Sequence, residues 1–447
     1  MRGQAQEKTA SKHVITAKQA RARRAFTMVE LMVALTAGLV VGAAVMGLSR
    51  IATHTFNEEV RTTGTEMSIR VASDRLRGDL SRAAYMSTPN GRVDPLLISP
   101  AGNASIDPGN KAPNGLGRLA SINLNPGGSY NTYASLKLAS DAQGLGGTTL
   151  SPDSITLGGN FTTADEYIVQ SVALNAGPCG GGQITLSRDS AALLRLTYRA
   201  DGTAKTDAEA TQSLFDAFQP ISTPGNTPNF MARLTDDTGR SQFVILCPQG
   251  INVTTGIPTI AVHNDTPILG GFQTGTRGGT TGLGVGRMTV NPVQLVRWEV
   301  RPDATNPEQF NLVRTWLDAY GNVVNGGTEL IAEYAVDLKF AFSVEDRGAA
   351  VGGRYKSFPF NDAQNTTWGT PVGSTTNLGP HLIRSVRFRV ALRAAVNDRV
   401  NNIASPGEGY LYRYCMDLPT CTGPEPRYAR VRTITGEVAL PNQQRIL

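Results

Sequence analysis

Residues 31–48 read LMVALTAGLVVGAAVMGL, eighteen residues without a charge. A run so apolar, so close to the start of the chain, is suited to a bilayer. With Phe26, Thr27, Met28, Val29 and Glu30 it reaches 23 residues. That is about 34 Å of α-helix, enough for a ~30 Å hydrocarbon core. The preceding flank is basic, through Arg21, Arg23 and Arg24. By the positive-inside rule the first 25 residues stay cytoplasmic and the rest is exported. A secretory signal has a shorter apolar core followed by a small-residue cleavage site. Here the run continues instead into a polar helical pattern. A single such run also excludes a polytopic membrane protein.

The net charge of +6 is local. Residues 1–25 hold seven Lys/Arg (Arg2, Lys8, Lys12, Lys18, Arg21, Arg23 and Arg24) and one acid, Glu7. The remaining 422 residues carry 35 basic and 35 acidic side chains. Nucleic-acid binding needs basic residues clustered on a folded domain, so no nucleic-acid partner is expected. Glycine is frequent, 48 of 447 residues, and charged residues are 17 %, below the ~25 % of average soluble proteins. The chain can therefore bury a core, with many turns around it.

Glu30 is the one acid in the apolar segment. An acid inside a membrane costs roughly 2.5–3.5 kcal/mol on insertion scales, so it needs either headgroup level or a partner. Its context is Arg24-Ala25-Phe26-Thr27-Met28-Val29-Glu30-Leu31, which resembles the class III signal of type IV prepilins. The resemblance implies that a prepilin peptidase cuts between Ala25 and Phe26 on the cytoplasmic side. It implies that the new Phe26 amine is methylated and that Glu30 is the family's assembly glutamate. Ala25 departs from the glycine usual before the cut. An amine at Phe26 and a carboxylate at Glu30 attract strongly in low dielectric. The amine of one subunit can thus pair with Glu30 of a neighbour and set helix register.

Beyond the apolar run the pattern stays helical to about residue 87, with no proline from 26 to 88. Phe56, Val60, Met67 and Val71 form one face, and Ile69, Ala72, Leu76, Leu80 and Ala83 a nearly opposite one. Two apolar faces imply two partners. The later stripe is expected to pack on the chain's own head, and the earlier one to face neighbouring helices. Thr88-Pro89-Asn90-Gly91 is expected to stop the helix.

From about residue 92 the reading is β. Alternating runs at 120–123, 135–138, 154–157, 183–186, 243–246, 293–300 and 310–316 are punctuated by Gly, Asn, Pro and Asp. The tracts 99–116, 140–153 and 269–286 read as loops. The last is glycine-rich but lacks the Gly-Lys-Ser/Thr of a phosphate-binding loop. The runs 293–300 and 310–316 form a hairpin pattern, followed by one strand over 330–342 and another over 383–393. In the latter, apolar residues alternate with Arg384, Arg387, Arg389 and Arg393, read as the solvent face of a sheet.

This succession resembles the PilW family of minor pilins and, more distantly, the J pseudopilin of type II secretion. The residues that carry it are Arg297-Trp298-Glu299-Val300, Glu333 to Phe342, Val386 to Arg393, Leu76 to Tyr85 at the end of the long helix, and the closing strand Arg430 to Asn442. The resemblance covers roughly 20–98 and 290–443, which leaves 99–289 as an expected insertion. It implies an α+β, type IV pilin-like fold, a long N-terminal helix packed on a large β-rich head. Residues 1–25 would be a leader, 26–87 the helix with 26–48 in the membrane, 88–447 the head, and 290–443 its family-like core.

The four cysteines are Cys179, Cys247, Cys415 and Cys421. In an oxidising compartment an even number favours disulfides. Of three possible pairings, Cys179–Cys247 with Cys415–Cys421 suits the short C-terminal loop. Their spacing gives no paired C-x-x-C, which disfavours a metal. Gly177-Pro178-Cys179-Gly180 has the shape of a nucleophile turn, with His263 and His381 as the possible bases. No G-x-S-x-G or H-E-x-x-H accompanies it. Asp236-Asp237-Thr238-Gly239 lacks the ligand spacing of a calcium loop and reads as a turn.

No enzyme activity and no cofactor are expected. The reading is a minor pilin that initiates or caps a type IV pilus. Its implied partners are the prepilin peptidase, other minor pilins and the major pilin, the inner-membrane assembly platform, membrane lipid, and a tip adhesin. It would sit first as a single-pass inner-membrane protein with its head in the periplasm, then in the extracellular fibre. The alternatives are a secretion pseudopilin and a membrane-anchored exported enzyme.

Overall fold

The computed structural model describes residues 27–97, 119–127, 151–188, 190–221, 228–269, 275–276, 288–306, 309–348, 354–371, 375, 377–397, 413–416 and 427–445. The chain divides into two compact units, Met1–Arg61 and Thr62–Leu447.

In the first unit the described residues are helical from Met28 onward. The helix α1 runs Met28–Ser81 and continues into the second unit. Its Met28–Asn57 stretch has a mean hydropathy of 2.3 in its most apolar window, long and apolar enough to cross a membrane. Leu31, Leu35, Leu39, Val45 and Leu48 are all exposed in the isolated chain. In water that much bare apolar surface would be strongly unfavourable, at ~25 cal/mol per Å2.

In the second unit the two stripes of α1 separate as the spacing predicts. Ile69, Ala72, Leu76, Leu80 and Ala83 are buried, the last four completely. Burying each of the larger three contributes about 1.5–3 kcal/mol. Met67 and Val71 are 69 % and 56 % exposed, and Phe56 and Val60, in the first unit, are exposed as well.

The helix ends at Ser81, six residues before the expected limit. Proline is not the cause. The Ala84 amide donates to the Gly158 carbonyl at 2.9 Å, and Ala84 and Met86 take positive φ values of 63° and 51°. A non-glycine residue in that region costs of order 1 kcal/mol and persists only when its surroundings hold it. Here the Asn160 amide donates to the Tyr85 carbonyl and Asn291 Nδ2 to the Met86 carbonyl. Gly159 permits the approach, because a Cβ there would lie 2.5 Å from the Arg82 carbonyl oxygen.

Among the described residues the larger sheet has eleven strands. They are β1 (Ile122–Asn125), β2 (Ser154–Gly159), β3 (Tyr167–Ala173), β4 (Gly180–Leu186), β5 (Met231–Thr235), β6 (Ser241–Thr254), β7 (Ile257–His263), β8 (Gly275–Thr276), β9 (Thr289–Pro302), β10 (Phe310–Leu317) and β11 (Val323–Ala332). Strand β9 joins its parts. Its second half pairs with β2 and β10, and its first half with β5 and β3. Strands from 154–263 and from 289 onward thus share one sheet. Two helices not anticipated from the sequence, α2 (Ala191–Thr197) and α3 (Asp207–Phe218), bury Leu193, Leu214 and Phe218 in a second core with β3 to β7. The expected run at 135–138 lies outside the described residues, as do the tract 99–116 and most of 140–153 and 269–286.

The smaller sheet orders β13 (Arg354–Ser357), β12 (Ala335–Asp346), β14 (Ile383–Arg393), β16 (Tyr428–Ala439) and β15 (Arg413–Cys415). The expected strand over 330–342 is two strands. Tyr334, at φ 58°, breaks the run, so that Ala332 ends β11 in one sheet and Ala335 starts β12 in the other. A short helix α4 (Ala363–Gly369) lies beside β1 and β12. One core joins the buried stripe of α1 with Leu157, Val296 and Trp298 of the larger sheet and Leu338, Phe340, Phe388 and Val390 of the smaller.

The arginines of β14 are not a solvent face. Arg393 is 8 % exposed and the other three are half-buried. Arg389 pairs with Asp337 at 2.8 Å, Arg384 with Glu345, and Arg387 donates to the Phe358 carbonyl. Phe360 covers the guanidinium groups of Arg387 and Arg389 at 5.9 and 5.2 Å. The period-2 pattern places Arg387, Arg389 and Arg393 on one face, but the segment after β13 roofs Arg387 and Arg389 there.

Candidate functional site

At the start of α1, Thr27 and Glu30 form a capping box. The Glu30 carboxylate accepts from the Thr27 amide at 3.0 Å and from its hydroxyl at 3.1 Å, and the Glu30 amide donates to Thr27 Oγ1 at 3.3 Å. This satisfies helix-start donors that would otherwise face lipid unpaired. Both acceptor contacts use Oε2, which leaves Oε1 with no hydrogen bond among the described residues. Glu30 is therefore fixed on the first turn with one oxygen available to a neighbour. Ala25 and Phe26, the expected cleavage and methylation positions, lie outside the described residues.

Below the membrane-length segment, a charged junction fastens α1 to the head. Asp79 lies on the buried face of α1, seven residues from Ala72 and four from Ala83. Trp298 Nε1 donates to its Oδ2 at 2.9 Å, and Arg314 Nε donates to the same oxygen at 2.6 Å. The strand register sets Trp298 of β9 opposite Arg314 of β10, and Arg314 opposite Glu329 of β11. Glu329 then reaches Arg75, one turn back along α1, at 3.3 Å. The Arg314 guanidinium lies 4.4 Å from the centre of the Trp316 ring. The Arg314 side chain is 3 % exposed and that of Asp79 10 %. At the C-terminus Asn442 Nδ2 donates to the Ser81 carbonyl at 2.9 Å. Neither Asp79 nor Arg314 was expected to matter. The available signal is an acid inside an apolar helical stripe, which requires a buried cation or donor.

Cys179 and Cys247 are joined by a disulfide, with Cα atoms 5.9 Å apart. Cys179 is thus no nucleophile. The two histidines weighed as its bases have other contacts. His263 Nδ1 accepts from the Asp265 amide at 3.2 Å, and buried His381 lies 3.5 Å from Asn90 Nδ2. Cys415 is disulfide-bonded, and Cys421 lies outside the described residues. Among the described residues no group of three or more His, Cys, Asp or Glu could hold a metal ion. Asp236 forms a closed turn. Its Oδ1 accepts from the Thr238 and Arg240 amides, and Oδ2 pairs with Arg240.

Two buried carboxyls oppose stability. Burial pushes Asp337 above its ordinary value, despite Arg389 and Lys339. Burial also raises Glu299, against the attraction of Arg297 and Arg301. Glu299 is 2 % exposed, and among the described residues neither oxygen has a well-aligned hydrogen-bond donor. Its partner is Arg297, whose Nε lies 3.1 Å away. Below pH 4.5 folded and unfolded chains both hold the Glu299 proton. As pH rises from 4.5 through the raised folded value, the folded state is destabilised. Glu299→Gln is therefore expected to stabilise the protein at pH 7 by on the order of 1 kcal/mol and to flatten the rise in stability on acidification toward pH 4.5. Denaturant midpoints at pH 5 and 7 measure this. A variant less stable than wild type at pH 7 would contradict it.

Comparison with protein-family models, with curated proteins and with solved structures finds no match. The functional reading rests on the residues and their geometry.

Proposed function

We propose that this chain is a minor pilin that takes part in assembling a type IV pilus, starting or capping the fibre. The observation that carries this reading is the use of one continuous helix for two jobs. In its first half, residues 31–48 bear an uncharged apolar surface that is exposed in the isolated chain. Its second half turns one stripe into the core of a β-rich head and leaves Met67 and Val71 uncovered. A mere anchor needs only the first job and can join its head through a linker. A fibre subunit also needs the second job, a helix stripe packed into its own head beside a stripe left for neighbouring subunits. The capped Glu30, with one oxygen still available, fits the pairing with a neighbour's Phe26 amine.

Glu30→Ala tests the reading. Insertion persists, because a charge in lipid is expensive, and the cut site is untouched. Incorporation into sheared fibres, relative to the membrane pool, falls by at least about tenfold, since an unpaired amine in lipid costs ~3–5 kcal/mol. Fibre number falls with it if the subunit initiates assembly. Normal incorporation and normal fibre number in an inserted mutant would refute the role assigned to Glu30. Mass spectrometry of the N-terminal peptide gives the companion result, a methylated Phe26.

A further inference from the structure

A cavity of about 300 Å3 opens where Pro126 and Gly127 after β1, Ser151 and Asp153 before β2, the middle of β12 and the start of α4 meet. Its volume is at the lower end for ligand pockets, which suits a small molecule. Lys339 and Asp153 line it, together with Asn361 and Asp362, and Leu124 and Pro126 supply apolar wall.

Lys339 is the unusual group. The residue is 9 % exposed, yet among the described residues its ammonium makes one hydrogen bond, to Asp153 Oδ1 at 2.9 Å. An ammonium has three N–H donors, so two remain for whatever fills the cavity. Asp153 is already satisfied. Its Oδ1 also accepts from the Gly127 amide at 3.1 Å, and its Oδ2 from the Phe340 amide at 3.1 Å. It holds the ammonium in place. Among the described residues Asp362 accepts only from the Gln364 amide, through Oδ1, which leaves Oδ2 as an acceptor. Asn361 sits on the rim with φ 67°.

Charge selects the ligand class. Lys339 is neutralised by Asp153, and the neighbouring Asp337 by Arg389 at 2.8 Å. Asp362 remains, so the site carries about one net negative charge and disfavours an anion. The Lys339 ammonium in its lining disfavours a cation. What fits is a neutral molecule that offers acceptors to Lys339, donors to Asp362, and C–H surface to Leu124 and Pro126. We propose that this cavity binds a small neutral polyol, a monosaccharide or the terminal sugar of a glycan. The proposal is independent of fibre assembly.

The test uses the full chain in a detergent without a sugar headgroup, such as dodecylphosphocholine. Saturation-transfer NMR is run with D-glucose, D-galactose, D-mannose and N-acetyl-D-glucosamine, and with acetate as the anionic comparator. Wild type is expected to bind at least one of the sugars and to ignore acetate. Lys339→Met weakens that binding by about tenfold or more, since hydrogen bonds from a charged donor are lost. Asn361→Gly retains the left-handed backbone and should fold as wild type does, yet weakens binding roughly fivefold. Asp362→Ser keeps the helix cap and weakens binding similarly. Failure of all four sugars to bind wild type overturns the proposal, as does binding unchanged in folded Asn361→Gly and Asp362→Ser. Displacement of the sugar by acetate overturns the assignment of a neutral ligand.

Discussion

Asp79→Ala is expected to lower the stability of the folded protein by about 3–5 kcal/mol, the cost of leaving a buried charge without its partner. The substitution removes little apolar contact. It strands Arg314, whose side chain is 3 % exposed, and it removes the acceptor of the Trp298 indole. Glu329 cannot compensate, because its nearest oxygen is 3.8 Å from Arg314 Nη1 and it is half-exposed. Guanidinium unfolding of the full chain in detergent, followed by tryptophan fluorescence, reads the change, and buried Trp298 reports from the junction itself. The double variant Asp79→Leu with Arg314→Met should recover much of the loss, since removing both charges of a buried pair costs far less than removing one. If the double variant is as unstable as Asp79→Ala, the cost lies in packing and not in the stranded charge.

The same residues show where sequence reasoning reaches and where it stops. The stripe at Ile69, Ala72, Leu76, Leu80 and Ala83 is legible because helical periodicity repeats over four turns and nothing interrupts it. Strand β14 and the β9–β10 hairpin are legible for the same reason at period two. Asp79 is legible in principle, as the polar exception within an apolar stripe, but its partners lie more than two hundred residues away and no local pattern names them. Helix α3 carries a capping box, Thr206 with Glu209, whose hydrogen bonds form as that signature implies. The early stop of α1 is of another kind. Ala84 and Met86 have no local reason to adopt positive φ, and contacts from distant segments, the Gly158 carbonyl, Asn160 and the Asn291 side chain, hold them there. Tyr334 likewise turns the chain between two sheets with no glycine to announce it. The roofing of the β14 arginines depends on a segment that arrives from elsewhere in the fold, so alternation alone reads them as solvated. Glu30 is legible as an exception in an apolar run, yet its capping box with Thr27 reads out only once the helix start is placed.

Replacing both Cys179 and Cys247 by serine is expected to cost about 4 kcal/mol, from the entropy regained by an unfolded chain no longer closed over a 68-residue separation. The double substitution avoids an odd thiol that could exchange with Cys415. The bond joins the turn before β4 to the middle of β6, where β6 loses register with β7 between Leu246 and Ile251. The end of α3 meets the same point, through Gln219 Nε2 donating to the Cys247 carbonyl at 3.3 Å. This irregular stretch has little ladder of its own. Gln249 sits at φ 56°, and a Cβ on Gly250 would lie 2.7 Å from that of Cys247. Two consequences separate an entropic brace from a local clamp. A brace acts through the unfolded chain, so the variant should show a larger denaturant m-value, as its unfolded state exposes more surface. Hydrogen exchange in β4, β6 and α3 should then rise in step with the loss of global stability, because no native contact besides the bond is lost. A local clamp gives the opposite pattern, an unchanged m-value with fast exchange confined to residues around 247–251. A loss below about 1 kcal/mol, with native protection throughout, would mean that neighbouring strands already restrict the unfolded chain and that the disulfide adds nothing to stability.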